Sequence, residues 1–365
     1  MAGRIHFMPP QTGEVPEIDR VPGVPHPREM LSLLGQEDAE QAFLDLYNGK
    51  KLHHAFLLVG PEGIGKATFA YRAARFLLAE AEREGGDALF GGSPDSLAVA
   101  ETSRTAHLVA NDAHPDLGVL KRRYDPKTKK FRSEISVEDT RDSLNLFEKT
   151  SAFGGWRVII VDAADDLNNA SANALLKTLE EPPSRAIFLL VTHQPQRLLP
   201  TIRSRCRTLS FSMLAPTVLK ELVPAISNAA ALDDTAAMRA NGSVKRALRL
   251  GQSGFRAFLA LVDDVLAALP KRRHAEIDRI AEACRTGTDG EQALTDFLEI
   301  LESWLHEAIR MRAGTGDVLR ASALAEFWSR MSENAARLDA LNLDRRAFVM
   351  TLVDELATLV SDAQR

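Results

Sequence analysis

Residues 55 to 68 read Ala-Phe-Leu-Leu-Val-Gly60-Pro-Glu-Gly63-Ile-Gly65-Lys66-Ala67-Thr68 and set an apolar run directly before a glycine-rich turn and a lysine. No other stretch narrows the fold so far. Five consecutive apolar residues read as a strand buried on both faces, and Phe69, Ala73, Phe76 and Leu77 suit one side of an amphipathic helix after the turn. Together they form a phosphate-binding loop. Glycines let backbone N–H groups close around phosphate oxygens at a helix N-terminus, and Lys66 adds a point charge. Gly60, Gly63, Gly65, Lys66 and Thr68 are therefore candidate nucleotide-binding residues, with ATP or ADP the expected ligand. A glycine turn kept only for strand-to-helix geometry is the alternative. The pattern calls for Ser or Thr directly after the lysine to hold Mg²⁺, and Ala67 stands there. Thr68 points about 100° further round the helix, so magnesium is poorly supported and no metal site is assigned.

Two more apolar runs, Arg157 to Asp162 and Ala186 to Thr192, read as interior parallel strands. Asp162 ends the first, where a P-loop protein places a carboxylate for Mg²⁺ or its waters. Between them Ala170 to Glu181 is helical in pattern, and Pro182-Pro183 stops it. Asp165 and Asp166 read as capping or first-turn acids of that helix. Glu82 to Asp112, broken by glycines and Pro94, reads as an insertion. After Phe211 strand-like runs vanish, and Ala, Leu, Glu, Asp and Arg recur at helical spacing. The expected architecture is an α/β P-loop domain with a parallel sheet, then a small helical unit and a larger all-α domain. Six prolines between residues 8 and 27 suggest an extended N-terminal arm over 1–27. The α/β domain is then expected over 28–212, the small helical unit over 213–255 and the all-α domain over 256–365.

A net charge of −5 deprives the chain of the general basic field of a self-sufficient nucleic-acid clamp. Any DNA contact has to be local or shared. Lys121 to Arg132 concentrates seven basic residues around an Asp-Pro turn and reads as an exposed hairpin. DNA-backbone or partner contact and a merely solvated hairpin are both open readings. Two cysteines, Cys206 and Cys284, are too few for a disulfide framework, and none lies within 82–116, which excludes a cysteine-ligated zinc there. No signal peptide or long apolar span is evident, so a cytoplasmic location without membrane contact is expected.

Longer motifs carry a family resemblance. Asn173-Ala-Leu-Leu-Lys-Thr-Leu-Glu-Glu-Pro-Pro183, the strand ending at Thr192, and Leu199-Pro-Thr-Ile-Arg-Ser-Arg-Cys206 resemble the bacterial DNA polymerase III clamp loader, most closely its delta prime-type subunits. Leu52-His-His-Ala55, His114-Pro-Asp116 and Gly242-Ser-Val-Lys-Arg-Ala-Leu248 agree. The resemblance runs from about Leu34 to Leu248 and implies an AAA+ module, a helical lid and a helical collar that packs with other subunits. The implied partners are gamma/tau and delta-type subunits in a heteropentamer, with the sliding clamp and primed DNA engaged through the assembly.

The resemblance also implies roles for single residues. Arg205, within Ser-Arg-Cys, would be an arginine finger acting in trans on a neighbour's ATP, where a planar guanidinium stabilises charge on the γ-phosphate. Thr192 matches a sensor position facing phosphate or attacking water. Lys245 stands where the lid's sensor motif normally has Arg. The water-orienting acid that usually follows the strand-end aspartate is replaced by Ala163. Ala67 and Ala163 together remove two parts of the hydrolysis apparatus, whereas Arg205 is retained. The expected function is a non-hydrolysing clamp-loader subunit that gives a finger to a motor subunit. A self-standing P-loop ATPase and a pure scaffold with an empty loop are the alternatives.

Overall fold

The computed structural model describes residues 17–362 except 22, 86–92, 129, 228–230, 286 and 342. Most of the expected N-terminal arm, residues 1–16, therefore lies outside the described residues. The chain divides into two compact units, Met1–Gly251 and Gln252–Arg365.

In the first unit, helix α1 (Glu37–Asn48) leads into β1 (Ala55–Val59), the glycine turn and α2 (Lys66–Leu78). Next come α3 (Glu80–Gly85), α4 (Arg104–Ala110), β2 (Leu117–Leu120) and a two-stranded antiparallel hairpin, β3 (Tyr124–Asp125) with β4 (Lys130–Phe131). Then follow α5 (Val137–Glu148), β5 (Arg157–Val161), α6 (Asn169–Glu180), β6 (Ala186–Thr192), α7 (Pro200–Arg203) and β7 (Arg207–Ser210). The main sheet has the order β2-β5-β6-β1-β7, and every pairing in it is parallel.

The apolar runs explain the strand order. β5 and β6 are buried at every position and β1 at all but Val59, so they fill the middle of the sheet. β7 buries only Leu209 and forms an edge, where polar Arg207, Thr208 and Ser210 face solvent. Alternation along the strands feeds two cores. Phe56, Leu58, Ile160 and Leu189 join Phe69, Ala73 and Phe76 of α2 on one face, while Leu57, Ile159, Phe188 and Leu190 meet Phe147 of α5 and Leu175 of α6 on the other.

The stretch read as an insertion contains α4, whose Thr105, Ala106, Val109 and Ala110 are buried. Ser103 caps it by accepting from the Ala106 N–H, and Glu82 accepts from both the N–H and hydroxyl of Thr105. At seven residues, the helix is too short to show a period in sequence. After β7 come three short helices, α8 (Pro216–Ile226), α9 (Asp234–Arg239) and α10 (Val244–Leu250), packed on one another.

The second unit is all helical: α11 (Ser253–Ala267), α12 (His274–Ala283), α13 (Gly287–Gly314), α14 (Val318–Leu341) and α15 (Arg345–Asp362). Its core gathers Val262, Ile280, Phe297, Leu301, Phe327, Val353 and Leu356. α13 and α14 form a helical hairpin, turned where the Asp317 N–H reaches back to the Arg312 carbonyl at 2.9 Å. Among the described residues no helix is long and apolar enough to cross a membrane.

Candidate functional site

Parallel strands put their carboxyl ends on one side, and that side collects most of the predicted site. Register pairs Val59 with Thr192, so the residue before Gly60 lies beside the last residue of β6. Val161 pairs with Leu190, which sets Asp162 on the same edge. The crevice outside the carboxyl ends of such strands is where open α/β sheets take ligands.

The glycine turn is tightly packed on its outer side. Gly60, Gly63 and Gly65 have φ of +156°, +77° and +101°. A Cβ on Gly60 would lie 2.7 Å from the Phe211 carbonyl oxygen, and one on Gly63 would collide with Ser243 Oγ and stand 3.0 Å from Lys245 Cβ. Glycine is required there for space as well as for dihedral angle. The start of α10 sits directly on the loop: the Val244 N–H donates to the Gly63 carbonyl at 2.7 Å, and Lys245 Nζ pairs with Glu62 at 2.7 Å.

Lys66 is 2% exposed and donates its ammonium to the Gly60 carbonyl at 2.6 Å and to the Pro61 carbonyl. Burial brings it down to about 8, against the opposing pull of Asp162, Glu62 and Asp165. Asp162 moves the other way: burial pushes it up to about 7, Asp19 adds to the rise, and Lys121 and Lys66 oppose it. Burial also disfavours the charged form of Glu62, but Lys245, His193 and Lys66 outweigh it and hold that carboxyl below its ordinary range. Thr68 lies half-buried on the first turn of α2, one residue past Ala67.

Thr192 is fully buried, and its hydroxyl donates to Asp165 Oδ1 at 2.6 Å. The same carboxylate accepts the N–H groups of His193 and Gln194. Asp165 thus ties off the end of β6 rather than capping α6, whose cap is Asn168. Asp166 pairs with Arg122 at 2.9 Å.

Arg205 is not brought to this cluster. Arg207 pairs with Phe56, near the amino end of β1, while Ser210 pairs with Val59 beside the loop. The rise of β7 from Arg207 to Ser210, three steps at about 3.3 Å each, separates these two levels by about 10 Å, and Arg205 lies in the turn before the strand begins. Its guanidinium, 35% exposed, pairs with Glu180 at 2.8 Å and donates to the Thr201 carbonyl at 3.0 Å. It therefore sits at the amino end of the sheet, away from the glycine turn of its own chain.

Sequence reasoning missed the ionic network that joins the N-terminal segment to the sheet. Lys121 holds Asp19 at 2.7 Å and Glu17 at 3.4 Å, while Arg28 holds Glu17 at 2.7 Å. Buried Arg75 of α2 donates to the Arg28 and Met30 carbonyls, which fastens the segment to the P-loop helix. Glu17, Asp19 and His26 approach one another closely enough to suggest a metal triad. His26 Nδ1 accepts the Arg28 N–H, however, so Nε2 carries the proton, and it faces Asp19 at 3.0 Å. Lys121, Arg28 and Arg20 already supply cationic partners to these carboxylates. The basic hairpin is similarly committed, since Arg123 and Arg132 both hold Asp139 of α5.

The family model for DNA polymerase III, delta subunit, matches residues 35–215. DNA polymerase III subunit delta' of Pseudomonas aeruginosa is 33% identical over 240 residues, which are 65% of this chain and 67% of that protein. Subunit delta' of Escherichia coli is 33% identical over 161 residues, 44% of this chain and 43% of its own. Subunit tau of Salmonella typhimurium is 30% identical over 299 residues, 75% of this chain but only 43% of its own length. With the P-loop sheet, the Ser-Arg-Cys segment and these similarities together, the chain belongs to the delta prime-type family of DNA polymerase III clamp-loader subunits.

Proposed function

We propose that this chain is the delta prime subunit of a clamp loader, where it holds nucleotide without hydrolysing it and supplies Arg205 to the ATP site of a gamma/tau-type neighbour. In that role it assists ATP-dependent placement of a sliding clamp on primed DNA, within a heteropentamer that also includes a delta-type subunit. The carrying observation is the separation of Arg205 from its own P-loop by the length of the strands, together with Ala67 and Ala163 at that loop's catalytic positions. A finger remote from its own phosphates serves only in trans. The three short helices over 213–255 would act as the lid and the helical unit that follows as the collar.

A second reading, a scaffold with an inert loop, draws on the Lys66 ammonium bonded to loop carbonyls and on Ser243 to Lys245 pressed against Gly63. Two measurements separate the readings. Arg205→Ala in the reconstituted assembly is expected to reduce ATP turnover by about 10²-fold or more, and unchanged turnover would remove the finger. Purified chain is expected to bind ATP without turnover. Absence of binding would favour the scaffold, and appreciable turnover by the chain alone would refute both readings.

A further inference from the structure

P-loop sites of hydrolysing proteins gather oxygen ligands for magnesium, which demands near-octahedral geometry at about 2.0–2.1 Å. The donors around this loop do not fit that requirement. Ala67 offers no side-chain oxygen, and the carboxylates near Lys66 are already taken up: Glu62 by Lys245, Asp165 by the Thr192 hydroxyl and two backbone N–H groups, Asp166 by Arg122. Asp162 remains, and the backbone of a lysine runs beside it. The Asp162 N–H donates to the Leu120 carbonyl at 2.9 Å, and the pairing of Leu120 with Val161, carried one step on, sets Lys121 alongside Asp162 at about the 4.8 Å spacing of neighbouring strands.

Lys121 is held in that place from the other side. The N-terminal segment delivers Asp19 and Glu17 to its ammonium, Arg28 and His26 brace those carboxylates, and Arg75 and Arg72 anchor the following carbonyls to α2. A lysine 17% exposed and held by two strap carboxylates, on the residue alongside Asp162, is a fixed charge rather than a solvated hairpin residue.

We propose that Lys121 is the resident cation of this corner, and that the P-loop takes a nucleoside di- or triphosphate as the free anion, without a divalent metal. The inference rests on the nucleotide-holding reading above and specifies its ligand. It also gives the segment around Glu17 and Asp19 a purpose, because these residues fix the lysine that neighbours Asp162.

The test is a fluorescence titration of the purified full chain with mant-ADP and mant-ATP, in millimolar magnesium and in EDTA. Dissociation constants agreeing within about threefold are expected, since no protein ligand would be lost with the ion. Tighter binding in magnesium by more than that would overturn the inference and leave the nucleotide reading standing. Failure to bind in either buffer would overturn both. In Lys121→Ala, with its fold checked by circular dichroism, magnesium is expected to tighten binding by more than about threefold because Asp162 is uncovered. A variant as indifferent to the ion as the parent would refute the assignment to Lys121.

Discussion

Asp162→Asn probes the electrostatics at the end of β5 directly. The carboxyl is raised by burial and by Asp19 from 3.8 to about 7. A raised acid binds its proton more tightly in the folded state, so its contribution is full below the unfolded value and disappears as pH climbs through the folded one. Between pH 5 and pH 8 these two values imply that the parent protein loses about 2.5 kcal/mol of stability through this one group. Asn has the same shape and no proton to lose. The stability difference between variant and parent is therefore expected to move in the variant's favour by about 2.5 kcal/mol across that range. Lys66 contributes little there, since its lowered value of about 8 places its titration at the alkaline end. Urea unfolding at several pH values measures the difference, with Trp156 reporting the first unit once Trp304 and Trp328 are replaced by Phe. A difference that stays constant from pH 5 to pH 8 would refute the argument.

Gly63→Ala adds a Cβ against Ser243 and Lys245 at a φ of +77°, and is expected to cost about 1–3 kcal/mol, seen as a lower thermal midpoint. Arg75→Met keeps the bulk in α2 but leaves the Arg28 and Met30 carbonyls without their donors. It is expected to cost about 1–3 kcal/mol and to speed hydrogen exchange across residues 26–31. Burial pushes the Cys206 and Cys284 thiols up to about 12, so neither is expected to react with Ellman's reagent in native protein at pH 8, whereas both react in urea. Prompt native reaction would contradict their placement.

The centre of the sheet was legible because β1, β5 and β6 are uninterrupted apolar runs, and the P-loop because its glycines and Lys66 sit between a strand and a helix. The edges were not. β2 contains Gly118 and β7 alternates Arg207, Thr208, Leu209 and Ser210, so each is a four-residue strand with little apolar signal. Asp165 was read as a helix-capping acid because its neighbours in sequence allow that role, yet its partners lie 27 to 29 residues away on β6 and the turn after it. The ties of Lys121 to Glu17 and Asp19 span more than 100 residues. Ion pairs of that separation leave no period or motif behind. The basic hairpin, read as either a contact surface or a solvated one, has several of its charges committed to carboxylates within the chain.

A guanidinium at the amino ends of the strands and a phosphate loop at their carboxyl ends give the first unit a polarity. Contacts made through Arg205 would join unlike surfaces, head to tail, so successive subunits would be related by a repeated rotation rather than by a two-fold axis. Such a series has two kinds of end. One terminal member needs only to give and the other only to receive. Under the proposed role, a chain that keeps Arg205 but carries Ala67 and Ala163 would stand at the giving end, where no neighbour relies on its own site being complete.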